Sequence, residues 1–315
     1  MVDNRSVEAV LVDCMGLKAG ETLLVLTDPK RSSIARALVE RGRELGAETV
    51  LIEMSERETN GTEPPPPAAA AMLECDVFIA PTTKSISHTA ARKNANARGV
   101  RCATMPQITE DMLHRTMAAD YSEVRRRSRI LAEALTAGRE VHITSPQGTD
   151  VTLGIEGREG ISDDGDLSAP GSFGNLPAGE GFIAPVEGTT QGTIAFDGSV
   201  WPVGLLEEPI VVGIEDGMAT EFSGPRADEW YETMAPYGDA ALAVAELGIG
   251  TNEAAILTGN VLEDEKILGT IHVAFGDNHT FGGTNRVSSH QDGIVTEPTL
   301  TIDGKVYVEA GRLLV

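Results

Sequence analysis

Residues 1–120 alternate between short apolar runs and amphipathic stretches, and this alternation restricts the possible folds more than any other feature of the sequence. TLLVL (22–26), TVLIEM (49–54) and CDVFIAP (75–81) predict strands, whereas SSIARALVERGRELG (32–46) has helical periodicity and ends at a glycine. Strands separated by helices form a parallel sheet with helices on its faces. The sequence therefore predicts a Rossmann-like α/β layer in this part of the chain.

The pattern changes from residue 140 onward. ADEWYETM (227–234) predicts one of the few helices, and the clearest short strands are EVHITS, DVTLGIEG, GTIAFDG, PIVVGIEDG and KVYVEAGRLL. Short strands separated by frequent turn residues are typical of antiparallel sheets. We therefore predict a Rossmann-like parallel-sheet domain over residues 1–138. A β-rich α+β domain, which carries the candidate metal ligands, is predicted over residues 139–315.

The motifs of several common enzyme classes are missing. No G-x-G-x-x-G follows the first predicted strand, and neither G-x-x-x-x-G-K-[ST] nor G-x-S-x-G occurs in the sequence. These motifs position a dinucleotide, a nucleotide phosphate and a nucleophilic serine, respectively. We therefore expect neither standard NAD or ATP binding nor serine-hydrolase chemistry.

The charge balance restricts the possible partners. Lysine and arginine total 25 against 48 aspartate and glutamate residues, which gives a formal net charge of −23. Such a surface repels nucleic acid and anionic membranes. No apolar run approaches the roughly 20 residues of a membrane span, and the first residues lack the pattern of a signal peptide. We expect a cytoplasmic protein that binds neither nucleic acid nor membrane.

Three of the six histidines lie in one short stretch, GTIHVAFGDNHTFGGTNRVSSHQDGIV. These are His272, His279 and His290, and Asp292 follows two residues after the last. Imidazole and carboxylate groups are the usual ligands of divalent transition metals. Residues two apart in a strand share a face, so His290 and Asp292 are expected to project together. Unrelated surface or core histidines are the alternative, but a short His-rich tract favours a metal site.

Two glutamates stand where such a site could recruit them. Glu180 lies between glycines in NLPAGEGFIAP, and Glu246 lies in the apolar, strand-like AVAELGIGTN. A buried carboxylate is costly unless it is paired or bound to a cation. The alternatives are a loop carboxylate for Glu180 and a salt bridge or exposed strand face for Glu246. The acidic run at residues 263–265 is predicted to be solvated, with Asp264 and Glu265 available to cap or orient local backbone.

These segments carry a family resemblance. The series NLPAGE, AELGIGTN, DEKILGTIHVAFG and HQD resembles the C-terminal half of the M29 metallo-aminopeptidases, the aminopeptidase T group. It is also similar to their homologues, the 2,5-dihydroxypyridine dioxygenases, which use one Fe(II). SISHTAARKNANARG resembles the N-terminal half of the same family. The resemblance covers most of the chain and is most specific from ELGIGTN to HQD.

The resemblance implies a ligand set for two divalent metals. The aminopeptidases use two glutamates, two histidines, a tyrosine and an aspartate. Carried over by position, the retained ligands are Glu180, Glu246 as the metal-bridging group, His272, His290 and Asp292. The tyrosine position falls on His279, which is a departure. Histidine can also bind metal, so the departure leaves the metal identity, the number of metals and the reaction open.

The first functional interpretation is therefore a hydrolase of aminopeptidase type that contains two Zn, Co or Mn ions per chain. The metals would lower the pKa of a bound water towards ~7, and this water would attack an N-terminal peptide or amide bond. The substrate would be a small molecule or short peptide. Glu180 or Glu246 would pass the proton to the leaving amine, and His279 would act as a ligand or acid/base group. The resemblance also implies a homodimer.

Two alternatives stay open. His272, His290 and Asp292 by themselves form the two-His-one-carboxylate set of a non-haem Fe(II) oxygenase. This set would belong to a mononuclear dioxygenase that cleaves a dihydroxypyridine-like aromatic ring. The loss of the tyrosine and the chain length favour it, whereas both retained glutamates argue against it. The second alternative is a non-catalytic protein that binds a metal or a small ligand.

Overall fold

The computed structural model describes residues 4–315. Numbered in chain order, its helices are α1 (Asn4–Glu8), α2 (Ser32–Glu44), α3 (Pro66–Ala71), α4 (Ala90–Ala97), α5 (Glu110–Thr116), α6 (Tyr121–Ala137), α7 (Ala227–Met234) and α8 (Val261–Asp264). The strands of the first half are β1 (Thr22–Thr27), β2 (Glu48–Glu53), β3 (Val77–Thr82), β4 (Arg101–Pro106), β5 (Glu140–Thr144), β6 (Asp150–Gly154), β7 (Ile161–Asp163) and β8 (Phe173–Asn175). The remaining strands are β9 (Glu180–Ile183), β10 (Gln191–Phe196), β11 (Ser199–Val200), β12 (Gly204–Leu205), β13 (Ile210–Glu215), β14 (Met218–Ser223), β15 (Val244–Gly250), β16 (Ile271–Gly276), β17 (His290–Val295), β18 (Thr299–Ile302), β19 (Lys305–Glu309) and β20 (Arg312–Leu313).

The chain divides into two compact units. The first runs to Tyr121 and also contains Gly165–Ala178, and the second consists of Ser122–Asp164 and Gly179–Val315. Compactness by itself does not show which segments fold independently. The two-domain boundary at residue 138 therefore stays a prediction.

The first unit is built on a five-stranded parallel sheet with the order β2-β1-β3-β4-β8. All six residues of β3 are buried, as expected for an inner strand of a parallel sheet. Helix α2 buries Ile34, Ala35, Leu38 and Val39, which recur at the spacing of one helix face. The predicted parallel α/β layer is confirmed. Strand β8 has only three residues and was not predicted from the sequence.

The second unit contains two antiparallel sheets, as predicted for a β-rich region. One has the order β14-β13-β10-β6-β5-β18-β19-β20, and the other has the order β12-β11-β17-β16-β15-β9-β7. The core of the unit includes Phe196, Trp230 and Phe275, whose rings meet edge to face with centroids 5.1–6.1 Å apart. Trp230 lies on α7, the helix predicted from ADEWYETM. Among residues 4–315, no helix is both long enough and apolar enough to span a membrane.

Four adjacent strands form the middle of the seven-stranded sheet: β9, β15, β16 and β17. They run antiparallel in the order β17-β16-β15-β9, and every residue of β15 and β16 is buried. Gly248 pairs with His272 across β15 and β16. A Cβ atom at Gly248 would lie 2.1 Å from His272 Cε1, so the glycine leaves room for the imidazole ring. A bulge between Val244 and Glu246 shifts the register of β15 beside Glu246.

Candidate metal centre

The four central strands bring five of the six candidate ligands together. Glu180 begins β9, Glu246 lies on β15, His272 lies on β16, and His290 and Asp292 lie on β17. In the pairing register, Glu180 lies opposite a residue of β15. Glu246 lies opposite a residue of β16, and His272 lies opposite a residue of β15. His290 and Asp292 lie opposite residues of β16. Residues far apart in the chain therefore meet because neighbouring strands of one sheet are only about 5 Å apart.

Glu246 lies between the two histidines. Its Oε1 is 3.3 Å from His272 Nε2, and its Oε2 is 3.3 Å from His290 Nε2. Glu180 Oε2 is 3.2 Å from His272 Nε2, and Asp292 Oδ1 is 3.5 Å from His290 Nε2. The three carboxylates are buried. Nitrogen and oxygen donors thus converge at short distances inside the protein.

The arrangement fits a divalent cation. Glu180, Glu246 and His272 each offer a ligand atom, and these atoms lie within 4.8 Å of one another. Ligands bound about 2.0–2.2 Å from a shared ion lie roughly 3–4 Å apart, which matches these separations. Glu180 Oε2 is buried and has no hydrogen-bond partner among the described residues. A cation would offset the cost of burying that oxygen without a hydrogen bond. The donors suit Zn, Fe, Co and Mn alike.

Glu265 is a potential ligand that the sequence analysis missed. Glu265, His272 and Asp292 form a second group of ligand atoms within 4.8 Å of one another. The expectation of a solvated run at residues 263–265 is wrong. Glu263 accepts a hydrogen bond from the Ile256 amide, and Asp264 accepts bonds from the Thr258 and Gly259 amides and the Ser199 hydroxyl. Each carboxylate can be buried because it has a local partner.

Lys266 was not predicted from the sequence to belong to this centre. Its side chain is 1% exposed, and its ammonium lies 2.5 Å from Glu180 Oε1, 2.8 Å from Glu265 Oε1 and 3.3 Å from Asp163 Oδ2. A buried charge of this kind is tolerated only when it is paired. In the sequence, Lys266 directly follows the acidic run and precedes ILGTIHVAF, and nothing in this local context distinguishes it from a solvated charge.

The carboxylates and histidines perturb one another strongly. Burial raises the pKa of Glu180 to about 8, although Lys266 opposes the shift. Burial would also raise the pKa of Glu246, but hydrogen bonds from His272 and His290 bring it below its usual range. Burial would lower the pKa of His272, but the bond to Glu246 and nearby carboxylates raise it to about 9. The metal-free centre therefore retains protons that a metal ion would displace on binding.

The structure does not bring His279 into either ligand group formed by the described residues. It follows β16, its side chain is 32% exposed, and its Nδ1 lies 2.7 Å from Asp277 Oδ1. The exposed imidazole of His279 already has Asp277 as a hydrogen-bonding partner, so it does not need a metal ion as a further partner. The role of His279 as a ligand or acid/base group stays a prediction.

Aromatic side chains lie beside His290. The Phe281 ring meets the His290 ring edge to face with centroids 6.0 Å apart, and it meets Phe182 in the same manner at 5.7 Å. Glu187 anchors the segment that carries Phe281, because it accepts hydrogen bonds from Asn278 Nδ2 and the Thr284 amide. This side of the centre therefore offers a supported aromatic surface.

The sequence of this chain matches the model of one protein family over almost its whole length. The model of the NicX family, 2,5-dihydroxypyridine 5,6-dioxygenase, matches residues 5–315. The chain belongs to the NicX family. No curated protein sequence matches it. Membership of this family confirms the resemblance seen in the sequence.

Two solved structures share the NicX-family fold of this chain. The 2,5-dihydroxypyridine dioxygenase from Pseudomonas putida KT2440 is 18% identical, with a TM-score of 0.86 over 100% of this chain and 99% of that chain. Wild-type AmpT from Thermus thermophilus is also 18% identical, with a TM-score of 0.73 over 99% of each chain. At this identity the likeness shows the fold. The family and these neighbours together indicate an enzyme, and they leave the choice between dioxygenase and aminopeptidase open.

Proposed function

We propose that this chain is a ring-cleaving dioxygenase that uses one Fe(II) and O₂ to open a dihydroxylated pyridine or a related aromatic ring. The match of the NicX family model across residues 5–315 carries the proposal. This reverses the order of the two enzyme classes that the sequence alone favoured. The pairing of His279 Nδ1 with Asp277 supports the change, because this histidine then does not take the place of the tyrosine ligand that the resemblance implies for the aminopeptidases.

The donor set supports a mononuclear iron centre. His272, His290 and Asp292 lie on the adjacent strands β16 and β17 and would hold Fe(II) as two histidines and one carboxylate. When bound, Fe(II) supplies the redox chemistry that allows O₂ to react with an aromatic ring. Glu246 contacts the Nε2 atoms of both histidines and would therefore be a further ligand of the ion. His290 Nδ1 donates a hydrogen bond to the Asp277 carbonyl oxygen, which orients the imidazole ring towards the centre.

Two further features suit an aromatic substrate with hydroxyl groups. Phe281 and Phe182 offer ring edges and faces beside His290, and aromatic rings pack favourably in such contacts. Glu180 has one buried oxygen without a hydrogen-bond partner among the described residues, and this oxygen lies 3.2 Å from Nε2 of the candidate ligand His272. A group of this kind can accept the proton of a substrate hydroxyl. We assign Glu180 this role, with the Phe281 side of the centre receiving the ring.

Oxygen uptake tests the proposal. The protein is purified without oxygen, loaded with Fe(II) and mixed with 2,5-dihydroxypyridine, and we expect substrate-dependent oxygen consumption with loss of the ring absorbance. Exposure to air should abolish activity, and ascorbate with fresh Fe(II) should restore it. His290→Ala should lose both the iron and the oxygen uptake. Two Zn, Co or Mn ions per chain and no oxygen uptake would overturn the proposal.

A hydrolase of aminopeptidase type is the second candidate. The observation that favours it is that Glu246 directs one oxygen to each histidine while Glu180 lies beside His272, an arrangement that suits two metals sharing a carboxylate. Loading with Zn, Co or Mn and assaying release of an amine from aminoacyl amides tests this candidate. Stable metal binding without turnover in either assay would favour the alternative of a non-catalytic protein that binds a metal or a small ligand. The homodimer and the cytoplasmic location stay predictions.

A further inference from the structure

The ammonium of Lys266 is an integral part of the buried ligand cluster. It contacts Glu180, Glu265 and Asp163 at 2.5–3.3 Å, and its side chain is almost completely shielded from solvent. Glu180 therefore has one oxygen on Lys266 and its other oxygen towards His272. Lys266 is therefore not part of a separate salt bridge, because two of its carboxylate partners, Glu180 and Glu265, are also potential metal ligands.

The position of Lys266 relates directly to the two potential ligand groups. One group contains Glu180 and the other contains Glu265, and Lys266 binds both of these carboxylates. The two groups also share His272. A divalent ion in either group would lie close to the ammonium of Lys266. With two such ions, the ammonium would repel both, and the repulsion is strong in an environment of low dielectric constant. The positive charge of Lys266 therefore opposes the binding of metal ions to both ligand groups at the same time.

We propose that Lys266 is a positioning residue that limits this centre to a single divalent metal ion. Its ammonium acts as a fixed cation in place of a second metal, and it holds Glu180 and Glu265 at the edge of the site. Glu246, His272, His290 and Asp292 are then left to coordinate one ion. The inference rests on the proposed function, since a mononuclear iron enzyme must exclude a second metal from a carboxylate-rich centre.

Binding of Mn(II) to the complete protein tests the inference without an activity assay. Equilibrium dialysis with elemental analysis should give one Mn(II) per chain for the unmodified protein, with the paramagnetic resonance spectrum of an isolated ion. Lys266→Met removes the charge but retains the length of the side chain. We expect it to bind a second Mn(II) at least ~100-fold more tightly than the parent and to show the spectrum of a coupled pair.

Two further variants control the test. Lys266→Arg keeps the positive charge and should bind one Mn(II), whereas Lys93→Met removes an exposed lysine of the first unit and should behave as the parent does. Lys266→Gln removes the charge but keeps a hydrogen-bond donor for Glu180, so it repeats the test if Lys266→Met does not fold. Circular dichroism reports folding. If neither neutral variant folds, saturation of the parent and Lys266→Arg at one ion supports the inference, and saturation at two overturns it.

The outcomes separate this inference from the proposed function. Two coupled Mn(II) ions in the parent would overturn both. One Mn(II) in the parent and in folded Lys266→Met, with no second binding step, would overturn only the role of Lys266. A second ion gained by Lys266→Met, together with no oxygen uptake by the Fe(II)-loaded parent, would support the role of Lys266 and overturn the dioxygenase.

Discussion

Each unit of this protein buries a polar cluster, and the two clusters differ in whether the protein satisfies them by itself. In the first unit, Asp28 accepts hydrogen bonds from the amides of Lys30 and Thr83 and from the Thr83 hydroxyl. In the second unit, Glu180 Oε2 and His272 Nδ1 are buried without a hydrogen-bond partner among the described residues. Buried polar groups are normally paired, so an unpaired set marks a site that needs something more.

The difference teaches how to separate a structural cluster from a functional one. The first unit also contains a chain of hydrogen bonds from Ser87 to Thr104 and from Thr104 to Asn175, and it uses neutral groups. The second cluster gathers five carboxylates, Asp163, Glu180, Glu246, Glu265 and Asp292, around one lysine and two histidines. Excess negative charge in a buried site calls for a cation. Four predictions test this contrast, in order of decreasing effect.

The largest effect is expected from Glu246→Ala. Glu246 contacts both histidines, so its removal takes away the group that connects the two sides of the centre. We expect metal affinity to fall by at least ~100-fold, with loss of the enzyme activity. Metal titration followed by elemental analysis measures the change, and Glu215→Ala, at an exposed position of β13, is the control. Full metal content in Glu246→Ala would show that Glu246 does not contribute to metal binding.

Gly248→Ala should act on the same centre without altering a ligand. The new methyl group would come within 2.1 Å of the buried His272 ring and displace it. We expect metal affinity to fall by ~10–100-fold with only a modest change in secondary structure. Gly213→Ala in β13 is a matched control, because its nearest contact would be an ordinary 3.5 Å. Equal metal affinity in the two variants would contradict the packing argument.

The metal-free protein should lose stability as the pH rises. His272 has a folded-state pKa of about 9 against an ordinary value of 6.5, so its contribution is complete below 6.5 and is lost as the pH rises through 9. Glu180, raised from 4.5 to about 8, acts in the same direction between those values. We expect the Tm to fall by on the order of 5 °C from pH 6.5 to 9.

Saturating metal should weaken that pH dependence, because the ion replaces the protons that the free ligands hold. Thermal melts with and without Mn(II) measure both effects. A metal-free Tm that rises over the same range would show that the histidines are not stabilised in their charged form.

Asp28→Ala should have the smallest effect on the centre and a clear effect on folding. It leaves the Thr83 amide of the first unit without its acceptor, which costs about 1–3 kcal/mol. Denaturant unfolding measures this loss, and metal content should remain that of the parent. Loss of metal in a folded Asp28→Ala protein would break the distinction between the two clusters.

Much of the architecture is predictable because its signals are local. Strand and helix periodicities are read over a few neighbouring residues, and they predicted the parallel layer of the first unit and the β-rich second unit. Strand β8 was missed because three residues, Phe173–Asn175, are too few to show a period. Its pairing with β4 depends on a long-range contact.

The site was predicted unevenly for the same reason. The His-x-Asp spacing of His290 and Asp292 is visible in the sequence, as are the acids Glu180 and Glu246 in their glycine-flanked and apolar segments. The resemblance placed these residues in one ligand set. Nothing local distinguishes Glu265 or Lys266 from solvated surface charges, since burial of a charge depends on partners supplied by other strands. Asp163 and Glu180, which pair with Lys266, lie about a hundred residues before it.

The sequence by itself predicted the alternating strands and helices of the first unit, the β-rich second unit, the family, and the histidine and aspartate that share a face of β17. The tertiary structure alone decided that Glu246 stands between two histidines, that His279 is exposed, and that Lys266 is buried among three carboxylates. Periodicity and motif spacing are properties of neighbouring residues. The pKa of a buried group and its capacity to bind metal depend on which distant side chains the sheet brings within a few ångströms.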